Sequence, residues 1–268
     1  GVPPAGASLE QIVDAIESFL AAAGRRVRVA VASWSPAERS ALPAWVDALI
    51  ERHEQGEYLY GDDDVERERS VRRLVALLGE VDRAALLDAA MRTERFLAEA
   101  LPVIAAAATR DGRDGLVIAR DTPHGRIEIW GGGDQRHLHR CAFRFDLAGD
   151  DRVLDCAGAA DAGEPISIHV DWSGDDLYGA TSHFRQSAAL VGVGVLIDRD
   201  GDDQYLATGW SQGVALAGYG LLLDGGGDDV YRGLESCQGV ALVGAGVLDD
   251  RDGNDAYSGD GFCQGVGD

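Results

Sequence analysis

Five stretches of this 268-residue chain set aspartates around a glycine at nearly constant spacing. The motif D-x-x-G-D-D-x-Y reads DWSGDDLY from Asp171, DRDGDDQY from Asp198 and DGGGDDVY from Asp224. It recurs as DRDGNDAY from Asp250, and a degenerate DLAGDDRV precedes them all. Carboxylates at a glycine-containing turn, together with its backbone carbonyls, are the hard oxygen ligands that calcium takes. The candidate ligands are Asp171, Asp175, Asp176, Asp198, Asp200, Asp202, Asp203, Asp224, Asp228, Asp229, Asp250, Asp252 and Asp255. The same side chains have a use that needs no ion, since aspartates cap backbone amides in Asx-turns.

Three other constellations could do chemistry. GWSQG, residues 209–213, has the form G-x-S-x-G and would put Ser211 at a hydrolase nucleophile elbow. The repeat speaks against it, because Ser211 shares its position with Cys237 and Cys263 and the following Gln-Gly pair recurs without a serine. An elbow also needs a helix after the serine, and VALAGYGLLLDGGG has glycines where that helix would run. RHLHRC puts His137, His139 and Cys141 on one face of a strand, where they would hold a transition metal or simply form a polar face. Cys237 and Cys263, as neighbours on in-register strands, would point the same way, which favours free buried thiols over a disulfide.

These residues need elements that stack them. Aligned on G-D-D (G-N-D in the last unit), the repeats start at residues 149, 174, 201, 227 and 253, steps of 25, 27, 26 and 26. A fixed period with this much identity predicts stacked units. Each unit carries G-x-G in its middle, which excludes a helical repeat and predicts a parallel β-solenoid with one coil of about 26 residues per repeat, strands ~4.8 Å apart. Stacking puts Asp175, Asp202, Asp228 and Asn254 in one column. Asp176, Asp203, Asp229 and Asp255 form a second, and Asp171, Asp198, Asp224 and Asp250 a third. Two unit charges ~4.8 Å apart repel by roughly 1 kcal/mol even in bulk water, so three such columns call for cations between coils. Leu190, Leu216 and Leu242 share a parity with Leu196, Leu222 and Leu248 and are predicted to face inward, with Ile197, Leu223 and Asp249 outward. The glycines between those leucines would leave a narrow interior free of side chains. Gln212, Gln238 and Gln264 are predicted to form an amide ladder, and Tyr178, Tyr205, Tyr231 and Tyr257 to stack.

DGGGDDVYR, residues 224–232, resembles the hemolysin-type RTX calcium repeat G-G-x-G-x-D-x-U-x, with Gly225, Gly227, Asp229 and Tyr231 on matching positions. DRDGDDQYL keeps Gly201, Asp203 and Tyr205. The resemblance implies a parallel β-roll whose turns bind calcium between coils, in a secreted protein. It covers about nine residues of each coil. The chain departs from the family in having Asp at the first glycine and a period of 26 in place of consecutive nonapeptides. Asp198, Asp200 and Asp202 are also similar to the D-x-D-x-D opening of an EF-hand loop, but Gly209 stands where its twelfth-position Glu belongs.

Residues from about 8 to 110 read as helices. Ser8 is the first N-cap with Gln11 as its capping-box partner, and Gly24 the expected stop. RVRVAVAS, residues 26–33, alternates like a strand. Ser35-Pro36 opens a second helix, with a break expected near Pro43 and a kink at Pro102 further on. The expected division is 1–113 for the helical domain and 114–268 for the solenoid. Of the 46 acidic residues 23 lie from residue 146 onward, against five of the 24 arginines. That half would repel nucleic acid and anionic membranes and attract cations. No apolar run is long enough to cross a bilayer. The chain does not begin with Met and shows no signal-peptide pattern, so a processed start is expected. FCQGVGD stops inside a fifth coil, where either further coils of the same solenoid or another protein subunit is expected to cover the strand edges.

The expectation is therefore an α+β protein, an N-terminal α-helical domain followed by a parallel β-solenoid. Its expected role is that of a secreted, periplasmic or cell-surface calcium-binding module for structure, adhesion or assembly. The alternative is a polysaccharide-active lyase or hydrolase, by analogy of fold, with a serine hydrolase using Ser211 behind it.

Overall fold

A computed structural model of the chain describes residues 1–54, 65–155, 157, 158, 160–261 and 263. α1 (Leu9–Ala30) begins with the closed capping box, Ser8 Oγ accepting from Gln11 N at 3.3 Å and Gln11 Oε1 from Ser8 N at 2.9 Å. It does not stop at Gly24, and the strand-like RVRVAVAS stretch is helical through Ala30. Val27 and Ala30 continue the buried stripe of Ile12, Ile16, Leu20 and Ala23, whereas Val29 is 49% exposed. The 3.6-residue period therefore outweighs the alternating valines. α2 (Pro36–Glu54) carries Pro36 in its first turn and runs on through Pro43, with Leu42 and Val46 buried on either side. That packing offsets the hydrogen bond a proline removes. α3 (Val65–Gly79) is tied to α2 by Arg73, whose Nε donates to Glu38 Oε1 at 2.8 Å. α4 (Arg83–Asp111) is capped by Asp82 and ends at Gly112 in the left-handed region, passing through Pro102 without interruption.

The chain then coils. β1 (Leu116–Thr122) and β2 (Gly125–Trp130) form an antiparallel hairpin. After them come β3 (Arg136–His137), β4 (Phe143–Phe145), β5 (Arg152–Leu154), β6 (Ile166–Val170), β7 (Leu177–Ala180), β8 (Ala189–Ile197), β9 (Gln204–Ala207), β10 (Ala215–Leu223), β11 (Val230–Arg232), β12 (Ala241–Asp249) and β13 (Ala256–Ser258). They build two sheets, ordered β1-β2-β4-β6-β8-β10-β12 and β3-β5-β7-β9-β11-β13. Every pair after the hairpin is parallel, and β8, β10 and β12 pair with no drift of the 26-residue register. This is the expected α+β solenoid. Among the described residues no helix is long and apolar enough to cross a membrane.

The helical region packs on the side of the coil. α4 lies against β8, β10 and β12, and α1 against β1, β2, β6 and β8. One core joins Phe19, Leu101 and Ile104 to Val191, Val193 and Leu216. Arg120 of β1 pairs with Asp14 at 2.6 Å and with Glu10 at 2.5 Å on α1. A second, smaller core fills the solenoid with Val153, Tyr178, Leu196, Tyr205, Leu222 and Tyr231. The predicted inward leucines are thus divided. Leu196 and Leu222 line the interior, while Leu190 and Leu216 belong to the helix-facing core. The backbone turns at Gly192 and Gly244, so parity is not carried across them. Ile197, Leu223 and Asp249 are half-buried. The interior glycines are sterically required. A Cβ on Gly220 would lie 2.2 Å from Val214 O and 2.7 Å from Ser187 O.

The amide ladder is replaced by something else. Gln186 Nε2 donates to Tyr178 O and Leu206 O, Gln212 Nε2 to Tyr205 O and Arg232 O, and Gln238 Nε2 to Tyr231 O and Ser258 O. Each glutamine fastens one coil's backbone to the next, giving its amide donors to carbonyls of two adjacent strands. Gln264 lies outside the described residues. The tyrosines stack as expected, with ring centroids 4.9, 4.7 and 4.7 Å apart from Tyr178 to Tyr257.

Candidate metal centre

The D-x-x-G-D-D-x-Y turn joins the even-numbered strand of one coil to the odd-numbered strand that follows. Its glycine is obligatory, because at Gly201 (φ 150°) a Cβ would stand 1.7 Å from Gly174 O of the coil before. Backbones so close bring the three aspartate columns into register. The columns do different work. Asp175, Asp202 and Asp228 are exposed, and each Oδ1 accepts the backbone N–H of Asp202, Asp228 or Asn254 one coil on, at 3.0, 2.8 and 2.9 Å. Asp176, Asp203 and Asp229 are buried and reach the other way. Their Oδ1 atoms accept Asp151 N, Asp176 N and Asp203 N, each at 2.7 Å. In the third column Asp171 and Asp224 accept Ser173 N and Gly226 N at 3.2 and 3.0 Å within their own turns. Amide capping is therefore built in, and it uses one oxygen of each carboxylate.

The carboxylates of the two buried columns converge. Carboxylate oxygens of Asp151, Asp171 and Asp176 lie within 4.8 Å of one another, as do those of Asp176, Asp198 and Asp203 and of Asp203, Asp224 and Asp229. The tyrosine hydroxyls enter the same space. Tyr178 Oη is 2.5 Å from Asp198 Oδ2 and 3.0 Å from Asp176 Oδ2. One hydroxyl proton serves only one of them, so the other contact needs a proton on the carboxyl or a cation beside it. Asp224 Oδ2 is better supplied, accepting from Tyr205 at 2.6 Å and Tyr231 at 2.8 Å. Asp171 Oδ2, Asp229 Oδ2 and Asp250 Oδ1 are buried with no hydrogen-bond partner, an arrangement costly unless something else neutralises it.

Burial, with the charge of neighbouring aspartates behind it, pushes Asp171 well above the usual carboxylate range and raises Asp198 and Asp203. Asp176 and Asp250 rise for the same first reason, and Asp229 is pushed up to about 7. Tyr178 and Tyr205 are raised well above 10 by burial and by the flanking Asp198, so both remain hydroxyl donors.

Of the thirteen aspartates read from sequence, Asp171, Asp176, Asp198, Asp203, Asp224 and Asp229 are brought together in these clusters. Asp250 and Asp255 are half-buried at the next level. Asp175, Asp200, Asp202, Asp228 and Asp252 are exposed on the outer turn. The EF-hand-like trio does not converge, since Asp198 is buried while Asp200 and Asp202 face solvent. Two residues were missed. Asp146 and Asp151 continue the third and second columns upward, with Asp146 N donating to Val170 O as Asp171 N donates to Ile197 O. DLAGDDRV carries them at the same offset as Asp171 and Asp176, which was the available signal.

RHLHRC is split by the fold. His137 joins Asp146 and Asp151, whereas His139 and Cys141 join Glu128. Glu128 is already engaged, accepting from Arg126, Trp130 and Arg144 and bonded to His139. Ser211 is fully buried, its Oγ donating to Gly209 O at 3.0 Å and accepting Arg185 N at 3.1 Å, and strand β10 follows it where an elbow requires a helix. Cys237 and Cys263 are free thiols, each donating to a backbone carbonyl two residues back. A shallow groove crosses the coils on the outside, lined by Thr181, His183, Thr208, Leu234, Glu235 and Asp260.

The architecture is a parallel β-solenoid with a helical buttress on one face and a spine of buried acids and stacked tyrosines at one corner. No family model, curated protein or solved structure matches the chain.

Proposed function

We propose that this chain is a calcium-binding β-solenoid module with a structural, adhesive or assembly role in a secreted, periplasmic or cell-surface setting. The observation that carries the reading is the set of buried carboxylate oxygens left without a hydrogen-bond partner after amide capping and tyrosine donation, Asp171 Oδ2 and Asp229 Oδ2 foremost. The donor set is all oxygen and anionic, which suits a hard divalent cation. The RTX-like turn and the acidity of this half of the chain point the same way. Asp151, Asp171 and Asp176, then Asp176, Asp198 and Asp203, then Asp203, Asp224 and Asp229 would hold the ions. When bound, calcium supplies positive charge between coils. The chain's own residues fix the carboxylates through the backbone amides and the tyrosine hydroxyls.

Thermal denaturation of chelator-treated protein tests this. At a hundred-fold excess over Kd, each bound calcium adds about 2.7 kcal/mol, so a single ion alone should raise Tm by about 5–10 °C. Asp203→Asn, which keeps the amide-capping oxygen but weakens two clusters, should lose most of the increase. Asp228→Asn on the exposed column should keep it. A wild-type Tm unmoved by millimolar calcium would mean that protons neutralise the spine and the aspartates only cap turns.

A further inference from the structure

We propose that the first coil carries a separate site for a divalent transition ion of the zinc class, held by His137 Nε2, Asp146 and Asp151. It does not rest on the calcium reading: it shares Asp151 with the first acid cluster, but it adds an imidazole donor and is placed by a break in the repeat. Down most of the spine the tyrosine column supplies a hydroxyl at each level. The pairing of β3, β5 and β7 continues that column upward as Tyr178, Val153 and His137. Val153 has no hydroxyl to give. His137 puts an imidazole nitrogen where the hydroxyl would be, 2.9 Å from Asp146 Oδ2 and 3.5 Å from Asp151 Oδ2. Ligands at tetrahedral angles ~2.0–2.2 Å from a metal stand roughly 3.3–3.6 Å apart, so the longer separation suits a shared ion and the shorter one has to open by roughly half an ångström.

Three further observations point to a ligand here. His137, Asp146 and Asp151 are at most 1% exposed, yet Asp146 Oδ1 and Asp151 Oδ2 have no hydrogen-bond partner. One N–H on Nε2 cannot serve both carboxylates. The buried cation nearby, Arg144, gives Nε and Nη2 to Glu128 Oε2 at 3.1 and 3.0 Å. His169 packs edge-on to His137 at 5.9 Å, is 1% exposed and has neither ring nitrogen hydrogen-bonded. An imidazole among carboxylates turns preference from calcium towards borderline ions. The rival group of Glu128, His139 and Cys141 has its carboxylate committed to arginines.

Since all three ligands are buried, the ion enters during folding. The test is to unfold the full chain, refold it with Co²⁺ in excess calcium, remove loose metal by gel filtration, and read cobalt content and visible absorption. One Co²⁺ per chain is expected, retained in His139→Gln and Asp203→Asn and reduced at least ten-fold in His137→Gln and Asp151→Asn. A chain that refolds without cobalt, or a band that survives His137→Gln or disappears with His139→Gln, overturns the proposal. If His137→Gln fails to refold by circular dichroism, cobalt-edge X-ray absorption on the refolded wild type decides. Imidazole plus carboxylate ligands support the site, and a sulfur or all-oxygen shell overturns it. Cobalt retention alongside a failed calcium titration separates this inference from the calcium reading.

Discussion

Each tyrosine of the spine does two jobs with different energetics. Its ring stacks on its neighbours in the column, and its hydroxyl supplies a proton to an aspartate of the spine. Tyr205→Phe separates the two. The stack survives, but Asp224 Oδ2 keeps only the Tyr231 hydroxyl, and Asp203 Oδ2 loses its 3.5 Å neighbour. The expected cost is about 1–3 kcal/mol in urea denaturation, with the far-ultraviolet spectrum of the folded solenoid kept. A cost near zero would mean that the hydroxyl is not what stabilises Asp224. The hydroxyl's reach to an aspartate was not read from the sequence, but the stack was, because side chains recurring at a fixed period must lie in register. The His137 site was hidden for the same reason. GDQRH from residue 133 aligns with GDDRV from residue 149, only 16 residues on. That short first coil falls outside the 26-residue period, and its column holds His and Val where tyrosine was expected.

The glycine of the turn determines how closely two coils approach. Gly201→Ala would set a Cβ 1.7 Å from Gly174 O at a backbone angle that L-residues rarely adopt. A loss of about 2 kcal/mol or more is expected in chemical denaturation, accompanied by loss of calcium stabilisation because the acids on either side fall out of register. Gly79→Ala, at the open end of α3 with nothing within 4 Å, should be neutral or slightly stabilising. Equal effects at the two sites would contradict the close-packed coil. Elements with a local cause were readable in advance, as with the Ser8–Gln11 capping box and Pro36 in the first turn of α2. Those decided by tertiary contact were not. Val27 and Ala30 are helical because α1 packs along α4, and Leu190 faces the helices because the strand turns at Gly192. The glutamines donate to backbone carbonyls in place of one another, a choice that a column of identical letters does not reveal.

Proton and calcium binding are linked in the molecule as a whole, through the pH dependence of folding. Without cation, the spine carboxyls hold protons in the folded state more firmly than in the unfolded chain, where aspartates titrate near pH 4. Asp171, Asp176, Asp198 and Asp203 are all raised, and Asp229 reaches about 7. From about pH 4 upward the folded state therefore binds more protons than the unfolded, so stability falls as pH rises through those folded values. The opposite sign belongs to carboxylates such as Glu128. Burial would raise it, but the hydrogen bond from Arg126 and the charge of Arg144 hold it well below the usual range. Its contribution is present at neutral pH and lost in acid. Together they place the stability maximum of the metal-free protein in mild acid, near pH 4–5, with Tm declining towards pH 8 as a chain of net charge −22 is forced to ionise its interior. Calcium replaces those protons and should restore most of the decline, so its effect on Tm should be larger at pH 8 than at pH 5. Calorimetry at both pH values, with chelator and with calcium, measures all four melting temperatures. A chelated protein with the same Tm at pH 5 and pH 8 would mean that the spine does not carry protons in its place. An equal calcium increment at both would mean that the ion binds elsewhere, on carboxylates already ionised at the surface.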